Sequence, residues 1–366
     1  MQSSSNSRLL YLDWMRGLAA LIMLVGHTFH SFTRIDLRDS GPYMLSQFIG
    51  GMPPAIFLFL TGVTLAFLMD GRQRKGLPPA ACVAEALRRA GYLLAIAFLF
   101  RLQLWLFGLP KSPWTDLLRV DILNSMALAA AVMGPLALLR TAQRVRAAAA
   151  LGLGIAVAAP LVSQLDWSMA PALLKAYLAP DYASFGFFPW AAFLAFGLSA
   201  GSLVRLSRPE QMERTMQWAA LTGTGLIAGG NFFGSLPYSL YIKSDFWLDS
   251  PALILIKLGV IFWLAAFAYL WTHAAPAASW SWIRQLGTTS LLVYWAHVEL
   301  VYGRWFWAWK ENLTLAQVAI ASLAVVALML ALSTAKTWWQ NNGAPPAAVQ
   351  WLMARRLPAP RRVSGD

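Results

Sequence analysis

Ten apolar stretches, each long enough to cross a hydrocarbon core as a helix, run through this 366-residue chain and leave it few ways to fold. Read between charged or Pro/Gly-rich breaks, they fall at 10–30, 47–69, 83–107, 117–139, 147–164, 185–204, 216–236, 251–271, 284–304 and 314–337. A bilayer core about 30 Å thick takes roughly 20 apolar residues in helical form. It offers the backbone no hydrogen-bond partner, so each run must satisfy its own N–H and C=O groups as a helix. The expectation is an all-α, polytopic transmembrane bundle of about ten helices over residues 1–340, with a basic cytoplasmic tail at 341–366. Segment 147–164 is short and Ala/Gly-rich and is the weakest of the ten.

The charge content agrees with a membrane solvent. Only 12% of residues are charged, about half of what a soluble domain carries. Eighteen Trp and ten Tyr fit the aromatic belts at headgroup depth. The net charge of +13 has no basic domain outside the spans to concentrate it. We therefore assign it to loops facing anionic lipid rather than to nucleic acid. The single Cys82 excludes an intrachain disulfide and a cysteine-based metal site, and no metal is expected. The first apolar run contains Asp13 and Arg16 and lacks a cleavage site, so it reads as a retained helix.

Lys and Arg also give an orientation. With the N-terminus inside, 18 fall on the cytoplasmic side, including Arg355, Arg356, Arg361 and Arg362 of the tail, and 7 on the other side. Four (Arg16, Arg101, Arg119 and Lys257) lie within spans. This asymmetry places both termini in the cytoplasm.

Ionisable residues inside a membrane cost about 2.5–3.5 kcal/mol each on insertion scales, so they face a partner or a cavity. The first span is the richest in them. Asp13 and Arg16 are three residues apart and can pair on one face. His27 lies eleven residues beyond Arg16, close to three whole turns, so both point the same way, about 16 Å apart along the axis. His30 follows near the far boundary. Other spans add Arg88, Arg89, Arg101, Arg119, Asp121, Asn124, Lys257, His297 and Glu299. Each alone reads as a paired structural charge or a positive-inside anchor. Together they suggest a hydrated pocket opening outward and joined through the bundle to an inner basic site.

Five segments carry a resemblance. They are Asp13-Trp14-Met15-Arg16-Gly17 with His27; Pro53 to Val63 with its Thr61-Gly62 and the Arg72–Lys75 loop; Val120 to Leu123; Phe187 to Trp190 with Gly197 and Gly201; and Leu286 to His297. In this order the chain resembles the transmembrane acyltransferase superfamily. Within it, the chain is similar to bacterial relatives of the heparan-α-glucosaminide N-acetyltransferase catalytic domain, related to the acyltransferase-three family. The resemblance implies a multi-pass protein of a bacterial inner membrane. It would transfer an acyl group, usually acetyl, from cytoplasmic acyl-CoA to a hydroxyl or amine of an extracytoplasmic sugar or glycan. It also implies that Arg16 and His27 form the functional pair, and it leaves open whether His27 or His30 is the base.

On that reading, Arg16, Arg88, Arg89 and nearby loop arginines hold the CoA phosphates through charge-assisted bonds, and Asp13, which can pair with Arg16, completes the cofactor-binding set. His27 acts as general base, its unperturbed pKa of about 6.5 suiting neutral pH, or carries the acyl group covalently. Asp121 or Glu299 orients it, Arg101, Arg119 or Lys257 polarises the thioester carbonyl, His297 is a further catalytic candidate, and His30, Arg101, Arg119, Lys257 and Glu299 form the substrate-binding set. A transporter or flippase for a lipid-linked or acylated small molecule would use intramembrane charges as well, and is the alternative.

Overall fold

The computed structural model describes residues 9–274 and 280–343. The expected basic tail, with Arg355, Arg356, Arg361 and Arg362, lies outside the described residues, as does Arg8. Among the described residues there is no strand, and helices joined by loops make up the fold.

The helices in chain order are α1 (Leu10–Phe32), the short α2 (Gly41–Gly50), α3 (Pro53–Arg74), α4 (Pro79–Gly108), α5 (Ile122–Met133), α6 (Thr141–Ser163) and the short α7 (Ala172–Leu178). After them come α8 (Phe187–Leu206), α9 (Met212–Gly234), α10 (Pro251–Ala274), α11 (Trp282–Thr288), α12 (Ser290–Tyr302) and α13 (Leu315–Asn342). Seven segments, built on α3, α4, α5, α6, α8, α10 and α13, are long and apolar enough to cross a membrane. The run at 147–164 belongs to α6, which starts earlier, at Thr141, and reaches 23 residues. The three other segments on which the sequence predicts spans are also helical. Of these, α1 carries Asp13, Arg16 and two histidines, α9 has a polar start, and the last is broken in two.

That break corrects the sequence expectation of one helix over 284–304. Thr289 leaves helical geometry at φ −118° and ψ 20°. Its hydroxyl lies 2.6 Å from Ser333 Oγ on α13, and the Gln285 amide donates to the Ser333 carbonyl (3.0 Å) and to Thr337 Oγ1 (2.7 Å). A broken helix persists at membrane depth only where protein or a wet cavity takes over the freed polar groups. Here a polar seam between α11 and α13 does so.

Small residues set the closest helix crossings. A Cβ added to Gly287 would lie 1.8 Å from the Asp13 carbonyl oxygen, and one on Gly17 would lie 1.8 Å from that of Ile283. Only glycine permits α11 to touch the backbone of α1 at this point, as in other membrane helix pairs. Gly62 of α3 and Gly197 of α8 make the same reciprocal contact, and α8 packs along both α3 and α6. The shared core of α1, α3, α4, α5, α8 and α10 is apolar and closely packed.

At one end of the bundle a polar knot ties three helices. Buried Asp70 on α3 accepts from Arg74 Nε (2.7 Å), Arg205 Nε of α8 (2.6 Å) and Thr141 Oγ1 of α6 (2.9 Å). Beside it the fully buried Arg144 donates to the carbonyls of Leu136 (3.1 Å) and Leu139 (2.8 Å).

Candidate active site

A cavity of about 340 Å³ lies between α1, α3, α4, α5 and the α11–α12 break. Arg16 and His27 both line it, so the stripe read from the sequence faces one space. Asp13 and Arg89 stand with Arg16 at one end, and Gly50, Pro53 and Phe185 are also among the lining residues. The walls between are mostly apolar (Met23, Phe57, Leu60, Leu93, Ile122, Met126), interrupted by Thr61, Thr64, Thr288, Ser290 and Tyr294. Mostly apolar walls with a few convergent polar groups are the usual character of a small-molecule site.

At the Arg16 end, Arg16 donates through Nη1 to Asp13 Oδ1 at 2.8 Å. Asp13 is 2% exposed, and Gly287 packs against its backbone. The carboxylate thus fixes the guanidinium on the cavity wall, three residues along the same helix.

At the other end, His27 Nδ1 lies 2.9 Å from His297 Nε2 of α12, with the rings stacked at 5.1 Å. His297 is fully buried, and its Nδ1 is 2.8 Å from the Val293 carbonyl oxygen. A carbonyl can only accept, so His297 Nδ1 carries a proton and donates to it. In neutral His297, Nε2 then holds a lone pair and accepts from His27 Nδ1–H. The network assigns these tautomers and leaves His27 Nε2 with the lone pair. This is the arrangement of a base oriented by a second group.

The remaining expected residues divide. Arg89 lines the cavity, whereas Arg88 turns away, 72% exposed, and pairs with Glu85 at 2.5 Å. His30 is exposed and outside the cavity lining, its Nδ1 3.2 Å from the Tyr302 hydroxyl. The Tyr302 ring stands between the two histidines of α1, edge-on to His27 at 5.3 Å.

Four of the expected residues are not among those lining the cavity. Asp121 is held by its own neighbours. It caps α5 by accepting from the backbone N–H of Leu123 (2.9 Å) and Asn124 (3.2 Å), and it pairs with Arg101 at 3.0 Å. Arg101 is thereby engaged as well, away from the cavity lining. Glu299 points at α4, where it accepts from Gln103 Nε2 at 2.9 Å, and Gln103 in turn accepts from Trp295 Nε1 at 2.5 Å. Arg119 is exposed at the end of a short 3-10 turn, Trp114–Leu118.

Lys257 stands behind the wall. Its Nζ lies over the Trp190 ring, 5.3 Å from the centroid, and beside Gly51, where α2 ends. A cation at a helix C-terminus and over an indole face is favoured by both the helix dipole and the ring quadrupole.

Reading the sequence for charge missed the neutral lining groups Thr61, Thr64, Thr288, Ser290 and Tyr294. All of them except Thr64 fall inside the segments that carry the family resemblance.

Seven helices long and apolar enough to cross a membrane, in one bundle with a polar-tipped cavity, define a helical membrane protein with a candidate small-molecule site. A family model described as heparan-alpha-glucosaminide N-acetyltransferase, catalytic, matches residues 8–243. The match covers about two thirds of the chain, which belongs to this family of membrane acetyltransferases. No curated protein matches the chain. The family match ends before α10, so His297 and the α11–α12 break come from the part of the chain beyond it. Groups of three or more metal-ligating side chains are absent among the described residues.

Proposed function

We propose that this chain transfers an acetyl group from cytoplasmic acetyl-CoA to a hydroxyl or amine of an extracytoplasmic sugar, across the inner membrane of a bacterium. In this reading the bundle crosses the bilayer ten times. The three less apolar crossings are α1, which the bundle largely buries, α9, which packs along α10, and α11–α12. Both termini and the Arg16 end face the cytoplasm, as the excess of Lys and Arg on that side requires. The observation that carries the reading is that Arg16 and His27 line one cavity while His297 holds the His27 ring.

The chemistry follows from the two ends. Arg16 and Arg89 bind the phosphates of CoA with charge-assisted hydrogen bonds. The pantetheine arm runs along the apolar walls, over the roughly 16 Å that eleven residues of helix span. The thioester then lies beside His27. His27 Nε2 takes the proton of the acceptor hydroxyl or amine as its heteroatom attacks the thioester carbonyl carbon. The new C–O or C–N bond forms, the C–S bond breaks, and the thiolate leaves with the proton that His27 returns. The imidazolium formed in between is stabilised because His297 Nε2 accepts from its Nδ1–H.

The test is acetyl transfer from radiolabelled acetyl-CoA to a panel of amino and neutral sugars by the purified protein. Transfer in the wild type and its loss in His27→Ala supports the reading. Equal turnover in His27→Ala, or none in the wild type with any acceptor, refutes it.

A further inference from the structure

The cavity walls are uneven in exposure. Of the lining residues, the exposed ones are Arg89 on α4, Thr288 at the end of α11 and Leu291 on α12. All three lie on the seam where α4 meets α11 and α12. The start of α1, past the Arg16 end, is packed by contrast: Tyr11, Leu12, Asp13, Trp14 and Met15 are each at most 7% exposed.

The seam is tied toward the far end of α4. The ring and hydrogen-bond contacts joining α4 to α12 and the residues just after it begin at Phe100 and Tyr294, whose rings meet at 5.2 Å. They continue through Gln103 with Trp295 and Glu299 to Arg304, which donates to the Leu109 carbonyl. Between Arg89 and Leu93 on one side and Thr288 and Leu291 on the other, the cavity meets the flank of the bundle.

Building on the proposed function, we propose that this gap between α4 and the α11–α12 break is a side window through which the pantetheine arm of acyl-CoA enters, with the nucleotide left outside against Arg89. Three features select this occupant. The window is at the Arg16 end, far from His27 Nε2, so an acceptor sugar entering here would have to traverse the whole cavity to react. Its frame pairs a guanidinium with apolar side chains, which suits a phosphorylated head on a thin, uncharged arm. Thr288, exposed on the frame, donates its hydroxyl to the Gln285 carbonyl at 2.9 Å and keeps oxygen lone pairs that can accept from the arm's amide N–H groups. The α11–α12 break is thus the sill of the donor entrance.

The experiment blocks the window reversibly. In a Cys82→Ser background, Thr288→Cys and, separately, Leu291→Cys are reacted with a bulky methanethiosulfonate. CoA binding to the full-length protein in nanodiscs is then measured by calorimetry before blocking, after blocking and after dithiothreitol. Leu323→Cys, on the exposed side of α13, is the control. The expected result is at least a tenfold loss of CoA affinity on blocking at 288 or 291, regained on reduction, with no change at 323. The recovery comes from the same molecules and so excludes a folding defect. CoA binding that is unaffected at both window positions overturns the side entrance and leaves the proposed function standing. If the unblocked protein binds no CoA at all, the proposed function fails and the window falls with it.

Discussion

Two polar clusters sit inside this bundle, and they differ in where their hydrogen-bonding capacity goes. The knot at Asp70 consumes its own: three donors from α3, α6 and α8 converge on one carboxylate. The cavity cluster turns its polar groups toward a cavity instead. Arg16, already paired with Asp13, and Arg89 both line it, and His27 keeps one ring nitrogen free because His297 occupies the other. A buried polar group satisfied by its own protein fixes helix positions, whereas one aimed into a cavity is free for a ligand. The Arg101–Asp121 pair and the Gln103–Glu299 contact belong with the knot by this criterion, although their depth in the sequence resembles that of site residues.

The sharpest test of this division is the base. His27→Ala should lower kcat for acetyl transfer by about 10³–10⁴-fold, at the upper end of what general base catalysis supplies, with the thermal midpoint of the purified protein unchanged. His297→Leu should cost about 10²-fold through loss of orientation. It should also move the acidic limb of the kcat/KM pH profile while leaving the KM for acetyl-CoA in place. The base must be unprotonated to act, so that limb rises with pH. His297→Gln, whose amide oxygen can accept from His27 Nδ1–H, should restore part of the rate.

On the other side of the comparison, Asp70→Ala strands two arginines. It should destabilise the fold by about 2–3 kcal/mol, less than the loss of a fully buried pair because Arg74 is 59% exposed. Activity per folded molecule should stay at the wild-type level, read from chemical unfolding alongside a single-turnover assay. Arg89→Gln should weaken CoA binding about tenfold, whereas Arg88→Gln, whose side chain turns to Glu85, should leave it unchanged in the same calorimetric measurement. Equal effects of the two would erase the distinction between inward and outward arginines.

The helices and the Arg16–His27 stripe were readable from the sequence because both are properties of a single helix. Apolar length marks the spans, and eleven residues close nearly three turns, so one sequence window contains the information. What was not readable depends on how separate helices are turned toward each other. Asp121, Glu299 and Lys257 sit at suitable depths, but depth says nothing of azimuth, and each is turned toward a protein partner. His297 was identified as a site residue, yet its contact with His27 spans 270 positions in the chain and no periodicity predicts it. The break at Thr289 was hidden for a related reason: Thr-Thr-Ser stays helical unless a neighbour takes up the freed groups, as Ser333 Oγ does by donating to the Gln285 carbonyl at 3.1 Å. The glycines at 17, 62, 197 and 287 were visible as letters in motifs, while their function as crossing points needs the facing backbone.

The most direct measurement is an electron cryomicroscopy structure of the protein with a non-hydrolysable thioether analogue of acetyl-CoA. The account predicts the phosphates at Arg16 and Arg89, the arm along Leu93 and Leu291, and the acetyl carbonyl carbon beside His27, leaving room for an acceptor atom about 3–3.5 Å from it. An analogue bound elsewhere on the bundle, or one whose acetyl group ends away from His27, would contradict it.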